Sequence, residues 1–220
     1  MSFAAARGGA RRELRGVALE VREDAVRLVA TDSYRLVIRD LALAVDVPGR
    51  PLRAVLELTE MERFLAAGEA GFGGAATLLA GSRGELLVEL GEKRTCLGSI
   101  GGDFPDYEAL LVALPAGSNG VVARQALRDS LARAGGTATL HFDARGLSVA
   151  ARGEVMRLPG TWPGPPRQVL VNSDYLAEAL EHLAGPDVVI EVGEPLQPVV
   201  LRSADTGTCT VWTMPIRPES

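Results

Sequence analysis

The sequence holds two histidines, two cysteines and one lysine, Lys93, and each shortage removes a class of function. Cys96 and Cys209 stand far apart without the paired spacing of a metal or redox site. They read as two buried thiols in a reducing, cytoplasmic setting. His141 falls in a strand-turn segment and His182 on a polar helix face beside Glu181. No nucleophile motif, metal spacing or phosphate loop accompanies either. Asp32 follows Thr31 without an acid–base partner and reads as a turn cap. The expectation is a protein that is not an enzyme and uses no cofactor or metal. Aromatics are 5% of the chain, so its cores are mainly aliphatic, and hydrophobic residues at 47% supply material for them. No apolar run approaches the ~20 residues that span a bilayer, which argues against a membrane partner. The stretch from Ala4 to Arg12 is short and broken by glycines, unlike an export signal. A surplus of positive charge is missing as well: the net charge of −5 argues against a general coat on nucleic acid.

What is present is a helix-and-strand scheme that occurs twice. At 220 residues, two domains of roughly 100 residues each are expected. Val17 to Val21 and Val26 to Ala30, joined at Arg22-Glu23-Asp24, read as a hairpin. Val37 to Val47 reads as a strand before the Pro48-Gly49 turn. Thr59 and Glu62 form a capping-box pair opening a helix with Met61, Phe64 and Leu65 on one face, ended by Gly68. Thr77 to Leu79, Glu85 to Leu90 and Arg94 to Ser99 read as short strands. Phe104 to Ser118 reads as an irregular linker, with Pro105, Pro115 and Gly117 at the boundary. Beyond it, Arg124 to Ala134 is helical with Leu127, Leu131 and Ala134 inside. Thr137 to Leu140 and Gly146 to Ala151 follow as strands, and Pro159 to Pro166 as a loop. Asn172 or Ser173 caps a helix with Leu176, Ala179, Leu180 and Leu183 inside, stopped by Gly185-Pro186. Val188 to Val192, Val199 to Leu201 and Thr208 to Thr213 are the closing strands. Helix followed by antiparallel strands, repeated, is α+β.

Three segments carry more than secondary structure. Leu14-Arg15-Gly16-Val17-Ala18-Leu19-Glu20 runs into Leu28-Val29-Ala30-Thr31-Asp32-Ser33-Tyr34-Arg35-Leu36. Gly102-Asp103-Phe104-Pro105-Asp106-Tyr107 sits mid-chain. Pro198-Val199-Val200-Leu201-Arg202 leads to Trp212-Thr213-Met214-Pro215-Ile216-Arg217. In this order and spacing they resemble the second and third domains of the bacterial sliding clamp, the DNA polymerase III beta subunit. That family's patterns are L-x-G-V-L-x-E with L-V-A-T-D-G-H-R-L, D-G-x-F-P-D-Y, and a closing V-M-P-M-R-L. Here Ser33-Tyr34 replace Gly-His, Ala109 stands where a basic residue is common, and Pro218-Glu219-Ser220 replaces the final Leu.

The resemblance implies two clamp-like domains, at 1–107 and 119–220, joined by a linker at 108–118. It also implies that the first domain is incomplete at its start, since Met1 falls about where that domain's first helix would end. The family's peptide-capturing groove carries over to Leu14, Thr31, Ser33, Tyr34, Arg35, Leu36, Pro105, Leu110, Pro198, Thr213, Met214, Pro215, Ile216 and Arg217. Its implied partners are peptide motifs of DNA polymerase and repair proteins, with Arg35 and Arg217 flanking an apolar trough. Arg63, Arg124, Arg128 and Arg133 are candidate DNA contacts, because clamp helices face DNA. Against strong DNA contact, the 173–184 helix exposes Asp174, Glu178 and Glu181 and carries no Lys or Arg. A monomer or weak dimer is expected. The alternative implied role is a clamp-like C-terminal module of a transcriptional regulator, following a helix-turn-helix domain.

Overall fold

The computed structural model describes residues 2–6, 11–22, 25–42, 52–67, 76–80, 85–90, 93–114 and 116–217. They form two compact units. The first comprises Met1–Ser33 and Ile38–Pro105, the second Tyr34–Val37 and Asp106–Ser220.

In the first unit, β1 (Gly16–Val21), β2 (Ala25–Thr31), β3 (Arg35–Ala42) and β4 (Leu52–Glu57) lie in the order β3-β2-β1-β4. The first residues of β3 group with the second unit. β1 pairs antiparallel with both neighbours, Ala18 opposite Val29 and Gly16 opposite Glu57. All six residues of β1 are buried, so both of its faces are covered. Glu20 is one of them, and a carboxylate out of water needs partners. It finds Arg22 at 2.8 Å and Arg53 at 3.4 Å. α1 (Leu58–Ala67) follows β4, and β5 (Ala76–Ala80), β6 (Leu86–Leu90) and β7 (Lys93–Leu97) form a separate antiparallel sheet. Leu19, Val26, Leu56, Leu86, Val88 and Leu97 close the aliphatic core between these elements.

The second unit begins with α2 (Tyr107–Ala113), β8 (Ser118–Ala123) and α3 (Arg124–Ala134). β9 (Thr137–Asp143), β10 (Gly146–Ala151), β11 (Glu154–Leu158), β12 (Gly160–Thr161) and β13 (Arg167–Asn172) follow. α4 (Ser173–His182), β14 (Asp187–Val192), β15 (Val199–Ser203) and β16 (Cys209–Thr213) complete it. One sheet runs β12-β8-β14-β15-β16 and the other β11-β10-β9-β13, with antiparallel pairing in both. α3 and α4 pack on each other and against these strands. Their inner stripes, Leu127, Leu131 and Ala134 on one and Leu176, Ala179, Leu180 and Leu183 beside the other, are buried. Asn172 caps α4 by accepting the N–H groups of Asp174 and Tyr175 at 3.0 and 3.2 Å. Gly135 ends α3 at φ +53°, a conformation that suits glycine, and returns its N–H to Leu131 O at 3.1 Å. The architecture is α+β, of helices and antiparallel sheets. No helix among the described residues is long and apolar enough to cross a membrane.

Several expectations need correction. The 104–118 stretch is not irregular throughout, because Asp106 caps α2 by accepting the N–H of Ala109 at 3.1 Å. α1 begins at Leu58, which places Thr59 inside the helix rather than at its cap. The loop at 159–166 contains β12 and a buried residue, Trp162, whose indole N–H donates to Pro165 O at 2.8 Å. Cys209 is buried but Cys96 is exposed. Glu178 is not an open carboxylate of α4, since it pairs with Arg35. Met1, Arg7, Gly8, Gly9, the Glu23-Asp24 part of the first turn, the 43–49 stretch, Gly68, Pro115 and 218–220 lie outside the described residues, as do the side chains of Phe64 and Leu65.

Candidate functional site

A candidate surface lies on the second unit. Met214 donates its N–H to Tyr34 O at 2.8 Å, continuing the ladder between β16 and the Tyr34–Val37 segment. Side chains alternate along a strand, so neighbours point to opposite faces. Arg35 turns toward α4: its Nη1 lies 2.6 Å from Glu178 Oε2, and its guanidinium carbon sits 4.4 Å above the Tyr175 ring centre. Thr213 is fully buried. The helix side of the sheet therefore carries Arg35 and Thr213, and Tyr34, Leu36, Trp212 and Met214 share the opposite side. Tyr34 is 62% exposed and Met214 43%, high values for large apolar groups.

β15 extends this face, with Val200 opposite Trp212. A pocket of about 250 Å³ opens on it. Leu111 and Leu114, from α2 and its end, join Pro198, Val200 and Trp212 as apolar walls. Glu191, Gln197 and Arg202 supply the polar part. Glu191 is held on both oxygens, Oε1 accepting the Gly117 N–H at 2.8 Å and Oε2 the Arg202 Nη2 at 2.9 Å. Such a pair is fixed in place and internally neutral.

The residues singled out from the sequence divide between the units. Leu14, Thr31, Ser33 and Pro105 belong to the first. Leu14 and Thr31 are core residues there, and Thr31 Oγ1 accepts the Ser33 N–H at 3.2 Å. Tyr34, Arg35, Leu36, Leu110, Pro198, Thr213, Met214, Pro215, Ile216 and Arg217 belong to the second. Leu110 and Arg217 are exposed, whereas Pro215 and Ile216 are half-buried, with the Ile216 N–H bonded to Leu170 O at 2.7 Å. Arg35, only 9% exposed in its side chain, is already engaged by Glu178 and Tyr175. Sequence reasoning missed Trp212, Val200, Glu191 and Arg202. The one available signal was Trp212, two positions before Met214 and so on the same side of the strand.

The four candidate DNA contacts are mostly occupied. Arg124 Nε donates to Gly185 O at 2.6 Å and its Nη1 to Leu180 O at 3.0 Å, which ties down the end of α4. Arg128 stands 4.0 Å from both Asp129 and Glu181, and Arg133 3.5 Å from Glu154. Arg63 is an exposed residue of α1.

Comparison with known proteins places this geometry. The family described as DNA polymerase III beta subunit, central domain, matches residues 1–106. The beta sliding clamp of Synechococcus elongatus is 26% identical over 224 residues, which cover 93% of this chain and 58% of the clamp. The beta sliding clamp of Pseudomonas putida is 26% identical over 238 residues, covering 98% of this chain and 61% of the clamp. The crystal structure of the DNA polymerase III beta subunit from Thermotoga maritima superposes with a TM-score of 0.87 at 20% identity, across 99% of this chain and 61% of that one. The chain thus spans about three-fifths of the length of the clamps it matches. Residues 1–106 thus match the central domain of the bacterial DNA polymerase III beta subunit, and the chain is similar to the sliding clamp in sequence and shares its fold.

Proposed function

We propose that the chain works as a sliding-clamp-like binding protein, built of two clamp-like domains at 1–107 and 119–220, that captures peptide motifs of replication or repair partners. The observation that carries this reading is the apolar row Tyr34, Leu36, Trp212 and Met214 on one face of the second unit, exposed at Tyr34 and Met214 and half-buried at Leu36 and Trp212. An extended peptide with large apolar side chains buries such a row, and a thioether adapts to varied shapes. Leu110, Pro198, Pro215 and Ile216 flank the row in this reading, and Arg217 meets carbonyl or acidic groups of the peptide. Thr213 supports the surface from the core of the second unit and Arg35 holds α4, while Leu14 and Thr31 are core residues of the first unit. No catalytic step is proposed. The 220-residue chain is read as a monomer or weak dimer, which light scattering checks.

The test is calorimetry with a peptide ending in Leu-Phe. Native protein should bind it, and Leu36→Ala together with Met214→Ala should weaken binding roughly ten- to hundredfold, since truncating interface anchors costs ~1–3 kcal/mol. Absence of heat at high micromolar native protein would sink the reading.

A further inference from the structure

We propose that the pocket walled by Leu111, Pro198, Val200 and Trp212 is a subsite for one uncharged, leucine-like residue, and that the Glu191–Arg202 pair sets this charge preference. The inference deepens the peptide-binding reading of the same face and rests on it.

The first support is size. At about 250 Å³ the pocket lies below the roughly 300–1,000 Å³ typical of whole small-molecule sites, so it suits a single residue with its adjoining backbone. The second is chemistry. The walls are aliphatic and indole surface, which favours a branched aliphatic side chain. Arginine has five N–H donors, and the bond to Glu191 runs through Nη2; the side chain is 36% exposed, so a ligand carbonyl can be met at its open edge.

The third support is the charge balance. Glu191 is 15% exposed in its side chain and satisfied by Arg202 and the Gly117 N–H. A ligand carboxylate entering the pocket meets Glu191, and an ammonium meets Arg202. Either must break a formed pair or sit beside a like charge. A neutral amide does neither. Specificity of this kind comes from repulsion as much as from attraction.

Two tryptophans make the experiment direct, because Trp212 lines the pocket and Trp162 is buried away from solvent with its own hydrogen bond to Pro165. The indole N–H resonances of the nitrogen-labelled 220-residue chain are followed while N-acetyl-leucine amide or N-acetyl-leucine, a carboxylate at neutral pH, is added. The Trp212 resonance should move with the amide and saturate, with the acid about tenfold weaker, and the Trp162 resonance should stay in place. Glu191→Gln keeps an acceptor for Gly117 but removes the negative charge, and should reverse the order in favour of the acid by about tenfold. Arg202→Gln, the second variant, should weaken the amide several-fold with Trp162 unmoved. The proposal is overturned if Trp212 ignores the amide, if native protein takes the acid equally well, or if folded Glu191→Gln leaves the order unchanged. A Leu-Phe peptide that fails to bind while the amide still moves Trp212 would remove the peptide reading and leave the pocket's ligand class standing.

Discussion

Ser33 adopts φ +79°, a left-handed conformation that residues with a Cβ rarely take. Its N–H is held by Thr31 Oγ1 at 3.2 Å, so the turn into β3 is fixed by its neighbours rather than by serine's own preference. The clamp pattern quoted above has glycine here, which removes the Cβ clash worth ~1–2 kcal/mol but costs ~0.5–1 kcal/mol in unfolded-state freedom. The strain is the larger quantity. Ser33→Gly should therefore raise stability by about 0.5–1 kcal/mol, read as a higher midpoint in urea; a lower midpoint would show that the Ser33 side chain contributes more than its strain costs. At this scale the sequence told which residues were notable but not where they point. Arg35 and Thr213 fell within the right segments, yet strand alternation turned both to the helix side. Cys96, taken for a buried thiol, is exposed on β7, because residue type alone does not say which face of a strand is covered.

α4 shows which interactions hold an element. Its inner side chains are buried, its start is capped by Asn172, its end is bound by Arg124, and Glu178 ties it to Arg35. These contributions differ in size. A buried leucine cut to alanine loses transfer energy and leaves a cavity, ~2–5 kcal/mol in all. A lost cap costs ~1 kcal/mol. Leu176→Ala should thus destabilise the second unit by ~2–5 kcal/mol and Asn172→Ala by ~1 kcal/mol, and urea unfolding that ranks them the other way would contradict the packing described. This same amphipathic stripe made α3 and α4 legible in the sequence. β4, β11 and α2 are among the elements that lacked such a signal. β4 is buried at three consecutive positions, Ala54 to Leu56, and so shows no alternation. β11 is mostly exposed, as a strand at a sheet edge can be. α2 leaves Leu110 and Val112 in solvent, 58% and 88% exposed, so its apolar run has no period and only the Asp106 cap marks it.

Across the whole molecule, charge decides what the chain can hold. Binding to duplex DNA at ordinary salt comes largely from arginines and lysines free to neutralise phosphates and release counterions. Of the four candidate arginines, Arg124 is committed to the carbonyls of Gly185 and Leu180, and Arg128 and Arg133 stand beside carboxylates. Asp129, Asp174 and Glu181 are exposed on the same two helices, and the chain as a whole carries −5. A phosphate approaching α3 and α4 meets at least as much negative charge as positive. Surface ion pairs such as Arg133–Glu154 are weak, ~0–1 kcal/mol, so they would yield to DNA if nothing else opposed it; the surplus of carboxylates does. Anisotropy of a labelled short duplex should accordingly show affinity weaker than ~0.1 mM for the 220-residue chain, the lower edge of ordinary non-specific binding, with little change between about 50 and 200 mM salt. Micromolar binding that falls steeply with salt would mean that arginines elsewhere on the molecule, Arg63 among them, form a phosphate-binding surface that outweighs the carboxylates of α3 and α4.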